Sequence, residues 1–369
     1  MSGQRNKPKV LFFGKIPPPY IGPSVATQII INSDLKKNID LIHFDTSHHK
    51  SIDQLSKKSI RNLLFPFKLY ARLFRDILRH KPDIVYIPSQ QTHIGYLRDL
   101  PYVIITRTLG KKLVFHLRGG YFYRWYTEEC GPLMKWLIRR VQAQLAGQIV
   151  LGKKLIPMFE GVMPKEKIYV IPNAADYEYP EVQKSESVIR VLFLGNFIES
   201  KGIVDFMASA ELLKNEADIR FLCAGNFMDE SSKAQLQRQA SELDNLELLG
   251  PVTGEAKFEL LKSVDVFVFP TYYRNEGHPW VIVEALGAGL PVISTDHGAI
   301  VESVIHNENG FIVSPKSPKE IADAILKLAN DQTLRSNMSK ASRALYESTY
   351  REANIVANFT RVFNDINQK

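Results

Sequence analysis

Short apolar runs that alternate with helical patterns constrain the fold of this chain most strongly. Each run is three to six residues long, and five occur in each half of the chain. They occupy residues 10–13, 41–44, 83–87, 113–116 and 149–151, then 191–194, 221–224, 264–269, 292–294 and 311–313. Strands of this kind, separated by helices, are typical of parallel sheets covered on both faces. The sequence therefore predicts an α/β protein with two Rossmann-like domains whose parallel sheets face each other across a cleft.

A polar, aperiodic stretch at 177–187 separates the two halves. We interpret it as a linker, so that the first domain covers residues 1–178 and the second covers 189–349. The last residues, about 350–369, have a helical pattern and are predicted to pack back on the first domain. Because open α/β sheets bind ligands beyond the carboxyl ends of their strands, the binding site is expected in the cleft.

The composition excludes several classes of protein. The chain has 369 residues, of which 45% are hydrophobic and 23% are charged, as in ordinary globular domains. Two cysteines, Cys130 and Cys223, cannot build a disulfide framework and fit a reducing compartment. No signal peptide and no apolar stretch of membrane-spanning length is recognisable, so a cytoplasmic location is predicted.

Positive charge is concentrated in the first half. Residues 1–180 contain 28 Lys and Arg against 13 Asp and Glu, a net charge of +15, whereas the remainder carries −7. Residues 57–81 hold eight cations and one acid, interleaved with Leu and Phe. Basic amphipathic helices commonly lie on anionic membranes, so this segment predicts peripheral binding to the inner face of the cytoplasmic membrane. The alternative is an ordinary surface helix whose apolar side chains belong to the core. Nucleic acid is not an expected partner, because no known reader motif is present.

Common cofactor and metal motifs are missing. The sequence contains neither G-x-G-x-x-G nor G-x-x-x-x-G-K-[ST], so neither a dinucleotide enzyme nor a P-loop NTPase is supported. No His, Cys and Asp cluster has metal-ligand spacing, and no G-x-S-x-G elbow occurs. No bound metal is therefore expected.

The most informative segment is 270–302. A polar loop containing Glu276 leads to Pro279, which suits the first helical position because it has no N–H, and Gly289 ends the helix. Free backbone N–H groups and the positive end of the helix dipole can bind an anion there. Glu284 lies in an otherwise apolar helix, where a carboxylate needs a hydroxyl or a cation as partner. A purely structural interpretation is that the two glutamates cap the helix and meet a neighbouring lysine.

Glu276 and Glu284, with seven residues between them and Ala-x-Gly-x-Gly-x-Pro-Val after them, resemble the E-x7-E motif of retaining glycosyltransferases. The resemblance is closest to family 4 of the GT-B fold. Further segments resemble that family in its own order along the chain. They are residues 18–24, 116–120, 171–176, 192–202, 249–252 and 295–302. The resemblance covers about residues 10–330 and implies the GT-B fold and transfer of a sugar from a nucleotide sugar with retention of configuration.

The resemblance also implies the roles of single residues. Lys201 would bind the donor diphosphate, Glu276 the sugar hydroxyls and Glu284 the ribose hydroxyls; His116, Glu276 and Lys201 would be catalytic. The other residues expected to bind the donor are Gly22, Gly195, Asn196, Val252, Gly277, His278 and Trp280. Three more are expected to help with phosphate or acceptor: Arg118, Arg274 and Asn173.

No cofactor is implied beyond the nucleotide-sugar donor, with UDP-sugar favoured over GDP-sugar. Lys201 and backbone N–H groups would stabilise the departing diphosphate without a metal. Two features depart from the family. Asn196 stands where many members have arginine, and Glu276-Gly-His278-Pro replaces Glu-Gly-Phe-Gly. Diphosphate binding would therefore depend more on Lys201, and the sugar is left open.

We therefore expect a retaining, metal-independent hexosyltransferase (EC 2.4) that extends a glycan, lipid-linked at the cytoplasmic membrane, in surface polysaccharide biosynthesis. The alternatives within enzymes are a GT-B sugar-nucleotide epimerase and a small-molecule glycosyltransferase. An alternative of another class is a catalytically silent GT-B protein that serves as a membrane or partner adaptor. The presence of Glu276, Glu284, Lys201 and His116 argues against a silent protein.

Overall fold

The computed structural model describes residues 7–18, 22–47, 60–182 and 187–369, with side chains from residue 65 onward in the third range. The chain divides into two compact units. The first contains Met1–Ala175 together with Glu352–Lys369, and the second contains Asp176–Arg351.

The first unit is built on a six-stranded parallel sheet with strand order β2-β1-β3-β4-β5-β6. Its strands are β1 Lys9–Gly14, β2 Asp40–Asp45, β3 Ile84–Ser89, β4 Lys112–Leu117, β5 Gly147–Val150 and β6 Ile168–Val170. Its helices include α1 Gly22–Asn32, α2 Leu35–Asn38, α3 Ile60–His80, α4 His93–Thr108, α5 Phe122–Arg124 and α6 Pro132–Gln144. A π-helical turn follows at Trp125–Glu129, and 3₁₀ turns lie at Lys153–Phe159 and Lys165–Lys167.

The second unit repeats this plan with strand order β12-β11-β10-β7-β8-β9, again all parallel. Its strands are β7 Ile189–Leu194, β8 Ile219–Ala224, β9 Leu246–Gly250, β10 Val266–Phe269, β11 Val292–Thr295 and β12 Gly310–Val313. Its helices are α7 Ile203–Leu212, α8 Glu230–Ser241, α9 Glu255–Ser263, α10 Trp280–Gly287, α11 Pro318–Asn330 and α12 Gln332–Thr349. Two 3₁₀ turns lie at Glu199–Lys201 and Ile300–Glu302.

The last helix, α13 (Glu352–Gln368), belongs to the first unit. Its Phe359 and Phe363 lie edge-on to Tyr86 of β3, with ring centroids 6.0 and 6.3 Å away. Lys112 of β4 donates a hydrogen bond to the carbonyl of Ile366, 3.0 Å away. These contacts cover the central strands of the first sheet with apolar side chains of α13.

The predicted α/β fold is confirmed: every apolar run coincides with a strand of one of the two parallel sheets. Two strands, β6 and β9, were not predicted. Both are edge strands and are only partly buried, so they lack the continuous apolar run that marks a strand covered on both faces.

Of the predicted linker at 177–187, residues 183–186 lie outside the described part of the chain, and the residues before them pack within the second unit. The second unit begins at Asp176, and the rings of Tyr177 and Tyr179 pack against Phe258 of α9 at 5.1 and 5.5 Å. Asp176 also forms an ion pair with Arg351 at 2.6 Å, which ties the beginning of this unit to its end. Polarity misled the interpretation, because a tyrosine can bury its ring while its hydroxyl meets a polar group, as the Tyr179 hydroxyl does when it donates to the Glu284 carbonyl at 2.7 Å.

Candidate active site

The strand order of the second sheet places two predicted residues together. From β7 the chain proceeds to β8 and β9, and from β10 it proceeds in the opposite direction to β11 and β12. The order therefore reverses between the neighbouring strands β7 and β10, the position where open α/β sheets bind ligands. Lys201 follows β7 and Glu276 follows β10, so the two side chains meet at this switch point.

Lys201 and Glu276 form an ion pair. The Nζ of Lys201 lies 3.2 Å from Oε2 of Glu276, and the two side chains are 20% and 15% exposed. The ammonium also lies 5.6 Å from the ring centroid of Phe269 and 5.4 Å from that of Tyr273. Oε2 of Glu276 has no hydrogen-bond partner in the part of the chain that the structure describes. The pair is thus electrostatic, and both groups retain hydrogen-bonding capacity for a ligand.

Close backbone packing fixes the loop that carries Lys201. Gly202 follows Lys201 with φ +88°, and a Cβ at this position would lie 2.6 Å from the carbonyl oxygen of Pro270. The N–H of Tyr272 donates to the carbonyl of Ser200 at 2.8 Å. Glycine is needed here both for the left-handed backbone and for the close approach of the two loops.

The loop at residues 271–279 is held by the segment that follows β11. The N–H of Ala299 donates to the carbonyl of Gly277 at 2.7 Å. Gly298 has φ +58°, and a Cβ there would lie 2.5 Å from the Gly277 carbonyl oxygen. The backbone next to Glu276 is therefore positioned by a neighbouring loop.

The side chain of His278 is buried within the second unit. This residue is predicted to bind the donor, and its Nε2 lies 2.6 Å from the hydroxyl of Ser303. Its ring stacks on Tyr350 with centroids 5.4 Å apart. Burial lowers the pKa of His278 to about 4, so the imidazole is neutral at physiological pH. This imidazole anchors the 271–279 loop through Ser303 and Tyr350.

Helix α10 begins at Trp280, with Pro279 at the N-cap rather than at the predicted first helical position. Such one-residue shifts are common at helix ends. Gly289, with φ +72°, lies just beyond the helix, as predicted. Glu284 lies one turn after Trp280 and is 6% exposed.

The buried Glu284 has a cationic partner whose identity the sequence left open. Lys257 of α9 places its Nζ 2.6 Å from Oε1 of Glu284. Burial raises the pKa of Glu284, and the Lys257 ammonium opposes that rise. Oε2 of Glu284 is buried without a hydrogen-bond partner among the described residues. A buried carboxylate signals that a cation is nearby, but the sequence does not say which lysine supplies it.

The contacts agree with the structural interpretation in that each glutamate meets a lysine. Among the described residues, Oε2 of Glu276 and Oε2 of Glu284 have no hydrogen-bond donor, so each carboxylate can still accept a hydrogen bond. The remaining predicted site residues of this unit, the phosphate or acceptor helper Arg274 among them, follow the carboxyl ends of strands or lie on α10. They are Gly195 and Asn196 after β7, Val252 after β9, Arg274 after β10, and Trp280. Asn196 and Arg274 are exposed, and the amide of Asn196 accepts from Asn226 at 3.5 Å.

In the first unit, His116 lies near the carboxyl end of β4 and is 1% exposed. Its Nδ1 is 2.7 Å from the hydroxyl of Tyr86, and that hydroxyl accepts a hydrogen bond from Arg118 at 3.2 Å. Burial, and secondly the nearby guanidinium of Arg118, hold the pKa of His116 well below its usual range. The imidazole is therefore neutral.

Two other predicted residues lie elsewhere in this unit. Gly22 is the first residue of α1, and the preceding residues 19–21 lie outside the described part of the chain. Asn173 is buried in the segment after β6. Across residues 7–18, 22–47, 60–182 and 187–369, no group of three His, Cys, Asp or Glu side chains could hold a metal ion.

The basic segment predicted to bind a membrane forms α3, except that residues 57–59 lie outside the described ranges. Leu69, Leu73 and Ile77 face the core and are at most 9% exposed. The opposite face exposes large apolar side chains, with Phe67 63%, Phe74 48% and Leu78 52% accessible. The helix thus has two apolar faces, one of which the described fold leaves open.

Helix α4, which packs beside α3 through a hydrogen bond from Tyr70 to the Arg98 carbonyl, also exposes apolar side chains. They are Ile94, which is 84% exposed, Leu97, which is 49% exposed, and Ile104, which is 62% exposed. Arg72 of α3 is engaged within the fold: its guanidinium lies 4.5 Å from the Phe44 ring centroid and donates to the Asp45 carbonyl. No helix in the ranges that the structure covers is long and apolar enough to cross a membrane.

Comparison with known proteins identifies a domain in the second unit. Residues 178–345 match the sequence model of the family described as glycosyl transferases group 1. The capsular polysaccharide biosynthesis glycosyltransferase CapM of Staphylococcus aureus is 28% identical over 85% of this chain and 87% of its own length. The phosphatidyl-myo-inositol mannosyltransferase of Mycobacterium leprae is 24% identical over 84% of this chain and 80% of its own. Among solved structures, Anabaena Alr3699/HepE in complex with UDP superposes with a TM-score of 0.72, at 16% identity, over 97% of this chain and 100% of that chain.

Proposed function

Since the chain is a glycosyltransferase of the GT-B fold, we propose that it transfers a sugar from a nucleotide-sugar donor to a growing glycan in surface polysaccharide biosynthesis, with retention of configuration. The name of CapM supports the polysaccharide setting, and the UDP bound to HepE supports a uridine nucleotide donor. The observation that carries the proposal is the pairing of Lys201 with Glu276 at the switch point of the second sheet. These are the two residue types that a departing diphosphate and a sugar hydroxyl require.

Lys201 is the group that meets the charge of the donor. Cleavage of a nucleotide-sugar bond builds negative charge on the diphosphate, and a preorganised cation stabilises that charge most strongly in a partly desolvated site. Before the donor binds, Glu276 neutralises Lys201 at 3.2 Å. A diphosphate carries more charge than one carboxylate, so we expect it to take over Lys201 and release Glu276 toward the sugar hydroxyls. The N-terminus of α10 adds backbone N–H groups and the positive end of its dipole.

Glu284 is the group that meets the ribose. Its Oε1 is held by Lys257 at 2.6 Å, which keeps the carboxylate charged, and its Oε2 has no partner among the described residues. A hydroxyl that donates to such a charged acceptor gains about 1.5–3 kcal/mol. The pair therefore gives the nucleotide a prepared acceptor rather than one that must first be desolvated.

The donor and the metal requirement are tested together. UDP-, GDP- and ADP-sugars are screened by thermal shift, where a ligand at about 100 times its Kd stabilises the protein by about 2.7 kcal/mol. The preferred sugar nucleotide is then incubated alone, with and without excess EDTA, and slow release of the nucleotide is followed. We expect a UDP-sugar to bind best and its hydrolysis to persist in EDTA. Absence of any sugar-nucleotide binding or turnover would favour the adaptor alternative, and a strict need for Mg²⁺ or Mn²⁺ would contradict the Lys201 mechanism.

We propose further that the acceptor is lipid-linked and that α3 and α4 bring the enzyme to an anionic membrane. The support is the combination of exposed apolar side chains, such as Phe74 and Ile94, with exposed cations on the same helices. Each Lys or Arg close to an anionic surface contributes about 1 kcal/mol, and apolar side chains can insert beside it.

The membrane proposal is tested by sedimentation with vesicles. The triple variant Lys68→Gln, Arg75→Gln and Arg79→Gln removes exposed cations and spares Arg72, which is bound within the fold. We expect the parent protein to bind anionic vesicles, not to bind neutral vesicles, and to dissociate as the salt concentration rises. The variant should lose binding to anionic vesicles. A control makes the same change of three charges on the second unit, at Lys214, Lys319 and Lys340. Equal sedimentation of the α3 variant and the control would refute the proposal.

A further inference from the structure

Three buried or half-buried polar groups in the first unit form a chain that the mechanism above does not use. Arg118 Nη2 lies 3.2 Å from the hydroxyl of Tyr86, and this hydroxyl lies 2.7 Å from Nδ1 of His116. The other ring nitrogen of His116, Nε2, is buried without a partner in the described part of the structure. The Nε of Arg118 is also buried without a partner there.

The direction of these hydrogen bonds follows from the chemistry of the groups. A guanidinium can only donate, so the oxygen of Tyr86 accepts from Arg118. The phenolic proton then points to Nδ1 of His116, which must accept. A neutral imidazole that accepts at Nδ1 carries its proton on Nε2.

The opposite tautomer would leave the network unsatisfied. With the proton on Nδ1, the oxygen of Tyr86 would receive two donors while its own O–H, fully buried, would have no acceptor among the described residues. A buried hydroxyl without an acceptor is unfavourable. The arrangement therefore selects one tautomer of His116.

The sheet register explains why Tyr86 reaches His116. Tyr86 of β3 pairs with Val114 of β4, and alternate residues of a strand lie on one face, so His116 follows Val114 on the side of Tyr86. The ring of Tyr86 stacks on Phe12 with centroids 3.9 Å apart, and Phe359 of α13 lies 6.0 Å away. Packing on both sides holds the phenol in place.

We propose that Tyr86 and Arg118 are positioning residues that hold His116 as the neutral Nε2–H tautomer, so that His116 donates a hydrogen bond to an oxygen atom of a sugar bound to this unit. The contact with sugar rests on the proposed function, whereas the tautomer follows from the contacts within this unit. Two N–H donors without partners among the described residues, His116 Nε2 and Arg118 Nε, suit a ligand rich in oxygen acceptors. Phe359 of α13 and Ile149 of β5 bring no charge to His116, and Arg118 is the cation that acts on it.

The tautomer is measured directly, without substrate. The full chain is labelled with ¹⁵N-histidine, and the signal of His116 among the nine histidines is assigned by its loss in His116→Gln. We expect a protonated Nε2 and an unprotonated Nδ1 that persist from neutral to mildly acidic pH. A protonated Nδ1, a cationic ring or a mixture of tautomers at neutral pH would overturn the proposal even if the enzyme is active.

The positioning role is measured with Tyr86→Phe. We expect kcat to fall about tenfold or more, the factor expected for one misaligned hydrogen bond, while the affinity for free nucleotide stays unchanged. The acid limb of the kcat profile should move to higher pH, because Nδ1 loses the donor that keeps it unprotonated. Tyr102→Phe, a buried tyrosine on α4, serves as the control and should leave the profile unchanged. An unchanged profile and an unchanged ¹⁵N spectrum in Tyr86→Phe would refute the role of Tyr86. Failure of every sugar nucleotide in the wild type would refute the proposed function and leave the tautomer result standing.

Discussion

The ion pair between Lys257 and Glu284 offers the sharpest test of the donor site. Lys257→Met keeps the length of the side chain and removes its charge, which leaves Glu284 buried without the cation that lies 2.6 Å away. Breaking a buried pair by removing one partner costs about 3–5 kcal/mol. Because the Lys257 side chain is 23% exposed and that of Glu284 is 7% exposed, we expect the lower end, about 3 kcal/mol. For a domain of about 150–250 residues this corresponds to a decrease in Tm of about 6–12 °C.

The loss should depend on pH, and its sign can be worked out. Burial already raises the pKa of Glu284 in the folded protein, with Lys257 opposing the rise, so removing Lys257 raises it further. A raised folded-state pKa means that the folded protein binds the proton more tightly than the unfolded chain does. The resulting stability is fully present below the unfolded pKa and is lost as pH rises through the folded pKa. Each unit by which the pKa of Glu284 rises further lowers the free energy of unfolding at higher pH by about 1.4 kcal/mol. The variant and the wild type should therefore converge at acidic pH and diverge toward neutral pH.

The assay is urea unfolding between pH 4 and 8, followed by the ¹⁹F signal of fluorotryptophan at position 280. Trp280 is the one tryptophan of the sequence between residues 176 and 351, and it lies one turn from Glu284. Glu284→Gln and the double variant complete a mutant cycle. We expect Lys257→Met to cost much less when it is combined with Glu284→Gln than when it is made in the wild type, with a flat pH dependence. A loss that is equal in both backgrounds and independent of pH would refute the reasoning.

Three further predictions concern the same unit. Lys201→Ala should lower kcat about 10²–10³-fold with little change in Tm, since its charge acts mainly as the diphosphate departs; equal kcat values would contradict this role. Glu284→Ala should weaken UDP binding in calorimetry by roughly 10–100-fold, the loss of one charged acceptor, and an unchanged Kd would exclude the ribose contact. Gly298→Ala should lower Tm and raise the donor KM, because its Cβ would lie 2.5 Å from the Gly277 carbonyl oxygen. Gly110→Ala, also at positive φ but with nothing within 4 Å, should show the backbone strain without the effect on KM.

The sequence by itself determined most of the strands and predicted the kind of site. Apolar runs of three to six residues mark strands, because a strand that is covered on both faces must bury apolar side chains at nearly every position. The edge strands β6 and β9 were not predicted, because they are only partly buried and need no continuous apolar run. The same logic of burial predicted that Glu284, inside an apolar helix, needs a hydroxyl or a cation. The order of motifs along the chain indicated a glycosyltransferase, and residues 178–345 match the model of the family described as glycosyl transferases group 1.

Only the tertiary structure decided which groups meet. Lys257 and Glu284 are 27 positions apart, Tyr86 and His116 are 30 apart, and Lys201 and Glu276 meet only because β7 and β10 are neighbours in the sheet. The contact between His278 and Ser303, which are 25 positions apart, likewise appears only in the tertiary structure. Hydrophobic periodicity reports the face on which a residue lies, since burial is a property of one position and its own element. A hydrogen bond or an ion pair depends on the distance between two residues. Strand order and register set that distance, and the local hydrophobic pattern does not report them.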